Sequence, residues 1–210
     1  RGKPIVNMLQ LDDEERINAV LPIREFDDKS FVFMVTSNGT VKKTSLNQFS
    51  RPRSNGIKAI DLRDQFLVDV AITNGDNDIL LTASNGKAIR FSEKDVRSMG
   101  RTASGVRGIR IDKNDEVISL CILDDGLLLT ATENGFGKRT NIHEFSNQHR
   151  GGKGVIAIQT SDRNGKAVTA LQVKDDDEIM LISSNGTLVR TSVSDISIIG
   201  RNTQGVKLIK

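Results

Sequence analysis

Tryptophan and tyrosine are absent from this sequence of 210 residues, cysteine occurs once, histidine twice and proline three times, and eight phenylalanines are its only aromatic side chains. Each scarcity excludes something. Without tyrosine the chain cannot form a phosphotyrosyl intermediate, and any stacking on nucleic-acid bases would have to use phenylalanine. A single cysteine excludes an internal disulfide framework and a cysteine-based zinc site. Cys121 lies in the apolar run Val117 to Leu123 and reads as a small core residue in a reducing compartment. His143 and His149 have no cysteine nearby and no zinc-ligand spacing, so no metal site is expected. No apolar run approaches the length of a membrane span, and Arg1-Gly2-Lys3-Pro4 lacks the apolar core of a signal peptide, which predicts a soluble, cytoplasmic protein without membrane contact. Sustained helical periodicity and low-complexity segments are also missing.

What is present is repetition. The dipeptide Asn-Gly recurs at Asn38-Gly39, Asn85-Gly86, Asn134-Gly135 and Asn185-Gly186, at spacings of 47, 49 and 51 residues. Each follows an apolar run and precedes a shorter mixed one, the pattern of a β-hairpin, and Asn-Gly predicts a two-residue turn. A glycine opens a further strand at Gly56, Gly105, Gly154 and Gly205, and another apolar segment precedes each hairpin: Ile17 to Ile23, Phe66 to Ile72, Glu116 to Ile122 and Ala167 to Val173. About four strands in roughly 49 residues match the blade of a propeller-like array. The expected architecture is therefore all-β: one β-pinwheel domain over residues 1–210 with four four-stranded blades. Its repeats fall at about 12–61, 62–111, 112–160 and 161–210, and residues 4–9 look like an orphan closing strand.

Net charge is only +3, because 27 acidic residues nearly balance 30 basic ones, so distribution must decide what the charges do. Four residues beyond each turn glycine the side chain is cationic: Lys43, Arg90, Arg139 and Arg190. Further cations recur in the loop before each closing strand, as Arg51 and Arg53, Arg101, Arg150 and Lys153, and Arg201. Equivalent places on successive blades would align these charges into a stripe suited to a phosphate backbone, giving sequence-independent, salt-sensitive affinity. The competing use of such cations is protection of exposed sheet edges. The acidic clusters Asp12 to Glu15 and Asp175 to Glu178 lack the alternating ligand spacing of a calcium loop and read as solvated turns.

The loop Gln148-His149-Arg150-Gly151-Gly152-Lys153-Gly154 couples paired glycines to flanking cations, a candidate anion cradle. It is not a nucleotide P-loop, since the first glycine of that motif is missing and Gly154 follows Lys153 where Ser or Thr is needed. This segment resembles the Gln-Arg-Arg-Gly-Gly-Lys-Gly box in the C-terminal region of gyrase A proteins, with His149 in place of one arginine. Gly105 to Arg110, Asn134 to Thr140 and Gly200 to Val206 are similar to the same family in the same order. In that family the box belongs to the first blade of a usually six-bladed pinwheel, whereas here the match falls in the third complete repeat.

The resemblance implies a non-catalytic region that wraps duplex DNA on a basic rim, in support of ATP-dependent negative supercoiling. Its partners would be double-stranded DNA, the remainder of the gyrase A protein and the gyrase B protein, with no cofactor of its own. The corresponding region of topoisomerase IV and a protein-binding propeller are the alternatives. No convergent His, Asp or Ser constellation suggests an active site.

Overall fold

The computed structural model describes residues 2–9, 11 and 15–209; most of the first acidic cluster, Asp12 to Glu14, lies outside them. The chain is all-β. Four hairpins lead, formed by β1 (Phe31–Thr36) and β2 (Thr40–Ser45), β4 (Asp78–Ala83) and β5 (Lys87–Ser92), β8 (Leu127–Thr132) and β9 (Phe136–Asn141), and β12 (Glu178–Ile182) and β13 (Leu188–Ser192). The remaining strands are β3 (Leu67–Thr73), β6 (Val106–Arg107), β7 (Val117–Leu123), β10 (Val155–Ile156), β11 (Ala167–Val173) and β14 (Val206–Lys207).

The Asn-Gly hairpins form where expected, but the turn is longer than two residues. In the first hairpin, Val35 pairs with Val41, and Gly39 N–H donates to Thr36 O across Ser37-Asn38-Gly39. Only the glycine takes a positive φ, +84° at Gly39, so the turn is a type I turn closed by a glycine bulge. The asparagine serves by its side chain: Asn38 Oδ1 accepts from Thr40 N–H at 3.1 Å, and Asn85 Oδ1 does the same for Lys87.

The sheets show how repeats become blades. Their strand orders are β3-β1-β2-β6, β10-β5-β4-β7 and β11-β8-β9-β14, all antiparallel in their pairings. Each hairpin thus receives both outer strands from the next sequence repeat, so every blade straddles a repeat boundary. The fourth hairpin, β12-β13, has no repeat after it in this sequence and forms a two-stranded sheet. By the same rule, residues 17–23 and 57–60 of the first repeat, expected as strands, form none, because among the described residues no hairpin precedes them. The expected orphan strand at 4–9 is a 3-10 turn, Ile5–Met8, closed by Asn7 N–H on Pro4 O, since it too has no sheet edge to join.

Most of the core lies between blades, with a further cluster of Val32, Met34, Leu46 and Ile60 on the first blade alone. Phe33, Val35 and Val41 of the first blade pack with Ile79, Leu81, Ile89 and Phe91 of the second; Leu80, Cys121, Leu128, Phe145 and Ala170 join the second to the third; Leu129, Val173, Val193 and Ile196 join the third to the fourth. Burying several such side chains at about 1.5–3 kcal/mol each is what couples neighbours, as in other repeat arrays.

Candidate nucleic-acid interface

The cations four residues past each turn glycine are in register, but three of them tie blades together. Lys43 is buried and its Nζ donates to Glu93 O at 2.8 Å, with a Glu93 carboxylate oxygen at 3.6 Å. Arg90 holds Asp78 on its own hairpin and donates to Phe145 O at 3.3 Å. Arg139 is buried, donates to Ile196 O at 2.6 Å and Ser194 O at 3.1 Å, and pairs with Asp175. Each donor therefore reaches the 3-10 turn of the next repeat or the residue that closes it: Glu93–Asp95, Ile142–Glu144 and Val193–Asp195. Arg190 is exposed and pairs with Glu178. Burial takes Lys43 and Arg139 off any surface a phosphate could reach, so at these two positions the recurrence is structural. It satisfies carbonyls at the ends of turns that would otherwise be buried without partners.

The cations of the loops lie elsewhere. Three loops hang from the same strand positions: Met99 N–H, Gln148 N–H and Ile199 N–H donate to the carbonyls of Lys43, Arg90 and Arg139, each at 2.8 Å. From there Arg101, Arg150 and Arg201 each reach back one repeat, donating to Lys58 O, Arg107 O and Ile156 O at 3.2, 3.0 and 3.2 Å. Backbone bonds join the same segments in register: Asp61 N–H to Ala103 O, Arg110 N–H to Gly152 O and Gln159 N–H to Thr203 O. The loops of the last three repeats and the closing segments of the first three thus form one continuous edge.

On that edge Arg107, Arg110 and Lys153 are exposed, as are Arg51 and Arg53 in the loop that leads into it, and no described carboxylate lies within ion-pair distance of them. Lys58 and Lys207 are exposed as well, the first paired with Asp61 and the second donating to Asn134 O. Charge periodicity alone does not single out Lys58, Arg107, Arg110 or Lys207. A signal for three of them is nonetheless present: the second residue after the closing glycine is Lys58, Arg107, Ile156 and Lys207 in the four repeats.

In the box-like loop Gly151 N–H donates to Gly108 O at 2.5 Å, and Arg150 Nε donates to Asp95 O at 2.8 Å. His149 is fully exposed, its Nδ1 3.5 Å from an Asp95 carboxylate oxygen, and Lys153 is exposed to solvent. Gly154 sits at φ +69°, where an added Cβ would stand 2.3 Å from Ala88 O; only glycine permits this approach of the loop to β5.

Two lysines that sequence patterning does not flag are fully buried under the flanking loops. Lys42 Nζ donates to Ala59 O at 2.5 Å and to Arg101 O. Lys138 Nζ donates to Gly200 O and Arg201 O, both at 2.6 Å, and to Thr203 Oγ1 at 3.0 Å. Burial pushes both ammonium groups down to about 8, helped by Arg101 and Lys58 at Lys42 and by Arg201 at Lys138, where Glu144 works in the opposite direction.

Against known proteins, the family described as "DNA gyrase C-terminal domain, beta-propeller" matches residues 30–74, 77–120, 126–174 and 177–210. The whole chain is 53% identical to the DNA gyrase A protein of Salmonella typhimurium and 52% identical to that of Escherichia coli, in each case over 24% of the relative's length. It therefore spans about a quarter of these curated relatives. A crystal structure of the C-terminal domain of DNA topoisomerase IV superposes with a TM-score of 0.93 at 29% identity, covering 100% of this chain and 66% of that one. The structure of a DNA gyrase A C-terminal domain gives 0.87 at 26% identity, covering 99% and 71%. Both structural likenesses are at lower identity than the gyrase A relatives, which match this chain end to end, and with the family match covering most of its residues the chain belongs to the DNA gyrase A C-terminal domain family.

Proposed function

We propose that this chain is a DNA-binding and DNA-wrapping domain of a type II topoisomerase of the gyrase kind, and that the continuous edge of loops and closing strands is the contact surface. The observation that carries this reading is the bonded rail that joins the four repeats, with Arg107, Arg110 and Lys153 exposed along it, Arg51 and Arg53 exposed in the loop leading into it, and none of the five paired with a described carboxylate. Arg101, Arg150 and Arg201, engaged with carbonyls, hold the rail together and add field to it. Four of the eight phenylalanines, Phe33, Phe91, Phe136 and Phe145, are buried, which favours phosphate contact over base stacking. In the box-like loop Arg150 and the Gly151 N–H are engaged with carbonyls, and Lys153 is the side chain that faces solvent for a phosphate. The domain itself performs no chemistry; it serves the ATP-dependent supercoiling of a cytoplasmic enzyme whose other parts are the rest of the gyrase A protein and the gyrase B protein.

The test is binding to linear duplex DNA across a salt series, wild type against an Arg53→Ala, Arg107→Ala, Arg110→Ala, Lys153→Ala variant. If the four contact phosphates, the slope of log K on log salt falls by roughly 3 to 4. A variant with unchanged slope would move the contact surface off this edge. Lys43→Ala should leave that slope nearly unchanged, because the side chain is buried.

A further inference from the structure

Lys42 and Lys138 occupy one position in the repeat, and the residue there in the second hairpin is Ile89. All three are fully buried. Among the described residues, neither lysine pairs with a carboxylate. Each ammonium instead gathers oxygens of the loop that carries a rail arginine: Arg101 O at Lys42, together with Ala59 O of the preceding repeat's closing segment, and Gly200 O, Arg201 O and the Thr203 hydroxyl at Lys138. A buried cation is costly unless its hydrogen bonds compensate, so an apolar side chain would be the cheaper choice if packing were the only need. Ile89 shows that the fold accepts one. Beneath it the box-like loop has no ammonium to gather its carbonyls; Gly152 lies close enough that an added Cβ would meet Ile89 Cδ1 at 3.4 Å.

We infer that Lys42 and Lys138 are positioning residues for DNA binding. They turn Arg101 O in the loop 100–105, and Gly200 O and Arg201 O in the loop 200–205, inward onto a buried positive charge, fix Arg101 and Arg201 on the rail, and remove those carbonyl dipoles from the surface a phosphate approaches. The second hairpin does without this device because its loop is held through glycines and Arg150. This rests on the rail being the DNA surface. The charged groups facing Lys42 are Arg101 and Lys58, and those facing Lys138 are Arg201 and Glu144. Glu144 also accepts from Arg201 N–H at 3.0 Å, so it braces the loop from its other side.

The experiment combines duplex binding with amide exchange of the loops, from pH 7 to 9.5, on wild type, Lys42→Met/Lys138→Met and the milder Thr203→Val, which removes one acceptor of Lys138. Wild-type affinity should fall about three- to tenfold as pH rises through 8, since a neutral amine donates fewer hydrogens and the buried charge vanishes. The double Met variant should start at the weaker affinity, lose that pH dependence, and exchange the amides of 201–204 faster while still folded; Thr203→Val should fall between. The wild-type titration needs no substitution and stands even if the double variant folds poorly. Wild-type binding that is flat through pH 8, or variants with wild-type affinity and loop exchange, would overturn this assignment alone. A wild type that binds no duplex at low salt would overturn the rail reading as well.

Discussion

At the scale of single residues, the same side-chain type does opposite jobs according to its exposure. Arg139 is 5% exposed and spends its guanidinium on Ile196 O, Ser194 O and Asp175, whereas Arg107, also cationic and also recurrent, is exposed and has no carboxylate partner among the described residues. Removing Arg139 strands two carbonyls at a buried turn, so Arg139→Ala should destabilise the fold by about 2–3 kcal/mol in urea unfolding, with little change in the salt slope of DNA binding. The buried lysines carry a stability signature of their own. Their folded pKa, about 8, lies below the ordinary lysine value, so between those values the unfolded chain binds more protons. Stability contributed by these two groups should therefore rise as pH goes from 8 towards 10.5, and unfolding titrations of Lys42→Met/Lys138→Met should lack that increment. Fold stability rising while DNA affinity falls in one pH window is not what a purely structural lysine would produce. The in-register cations are legible in sequence, but their role is not. Periodicity reports that a position is equivalent in every blade, without reporting whether it faces solvent or the neighbouring blade.

Among elements, the hairpins are readable because their information is local. An apolar run, Asn-Gly and a second run fit within 15 residues, and all four hairpins form where the pattern puts them. The turn is longer than Asn-Gly alone predicts, since the asparagine contributes a side-chain acceptor for the residue after glycine and not a positive φ. What cannot be read locally is that both outer strands of a blade arrive from the next repeat. β6 joins β2 across more than 60 residues, and a two-residue strand carries almost no pattern of its own. These short strands depend on the closing glycine. Gly154→Ala would force a Cβ at φ +69° to within 2.3 Å of Ala88 O, so β10 should detach from β5. A loss of about 2 kcal/mol or more is expected, with faster exchange of the Val155 and Ile156 amides and weaker DNA binding, because the box-like loop is anchored by the same contact. Unchanged stability would mean that the loop moves without carrying the strand.

For the whole molecule, bonds between loops and closing segments link the repeats, so DNA on the proposed contact edge would follow a path the blade packing dictates. Five exposed cations without a described carboxylate partner set the scale of what the path can enforce. Going from 50 to 200 mM salt should cost a five-phosphate contact roughly 500-fold in affinity, close to about 4 kcal/mol. Smoothly bending a site of 20–30 base pairs by 40–90° costs on the order of 1–6 kcal/mol. The two are comparable, so the bend should exist at low salt and relax within the same salt range that releases the phosphates. End-to-end energy transfer across a duplex of about 30 base pairs, at saturating protein, measures this directly. Wild type should shorten the end-to-end distance at low salt and lose the shortening as salt rises. The Arg53→Ala, Arg107→Ala, Arg110→Ala, Lys153→Ala variant should bind DNA straighter at every salt concentration, because its remaining contacts no longer match the elastic cost. If saturated variant and wild type bend the duplex equally, the curvature comes from another face of the blades, and the rail is a tether without a wrapping role.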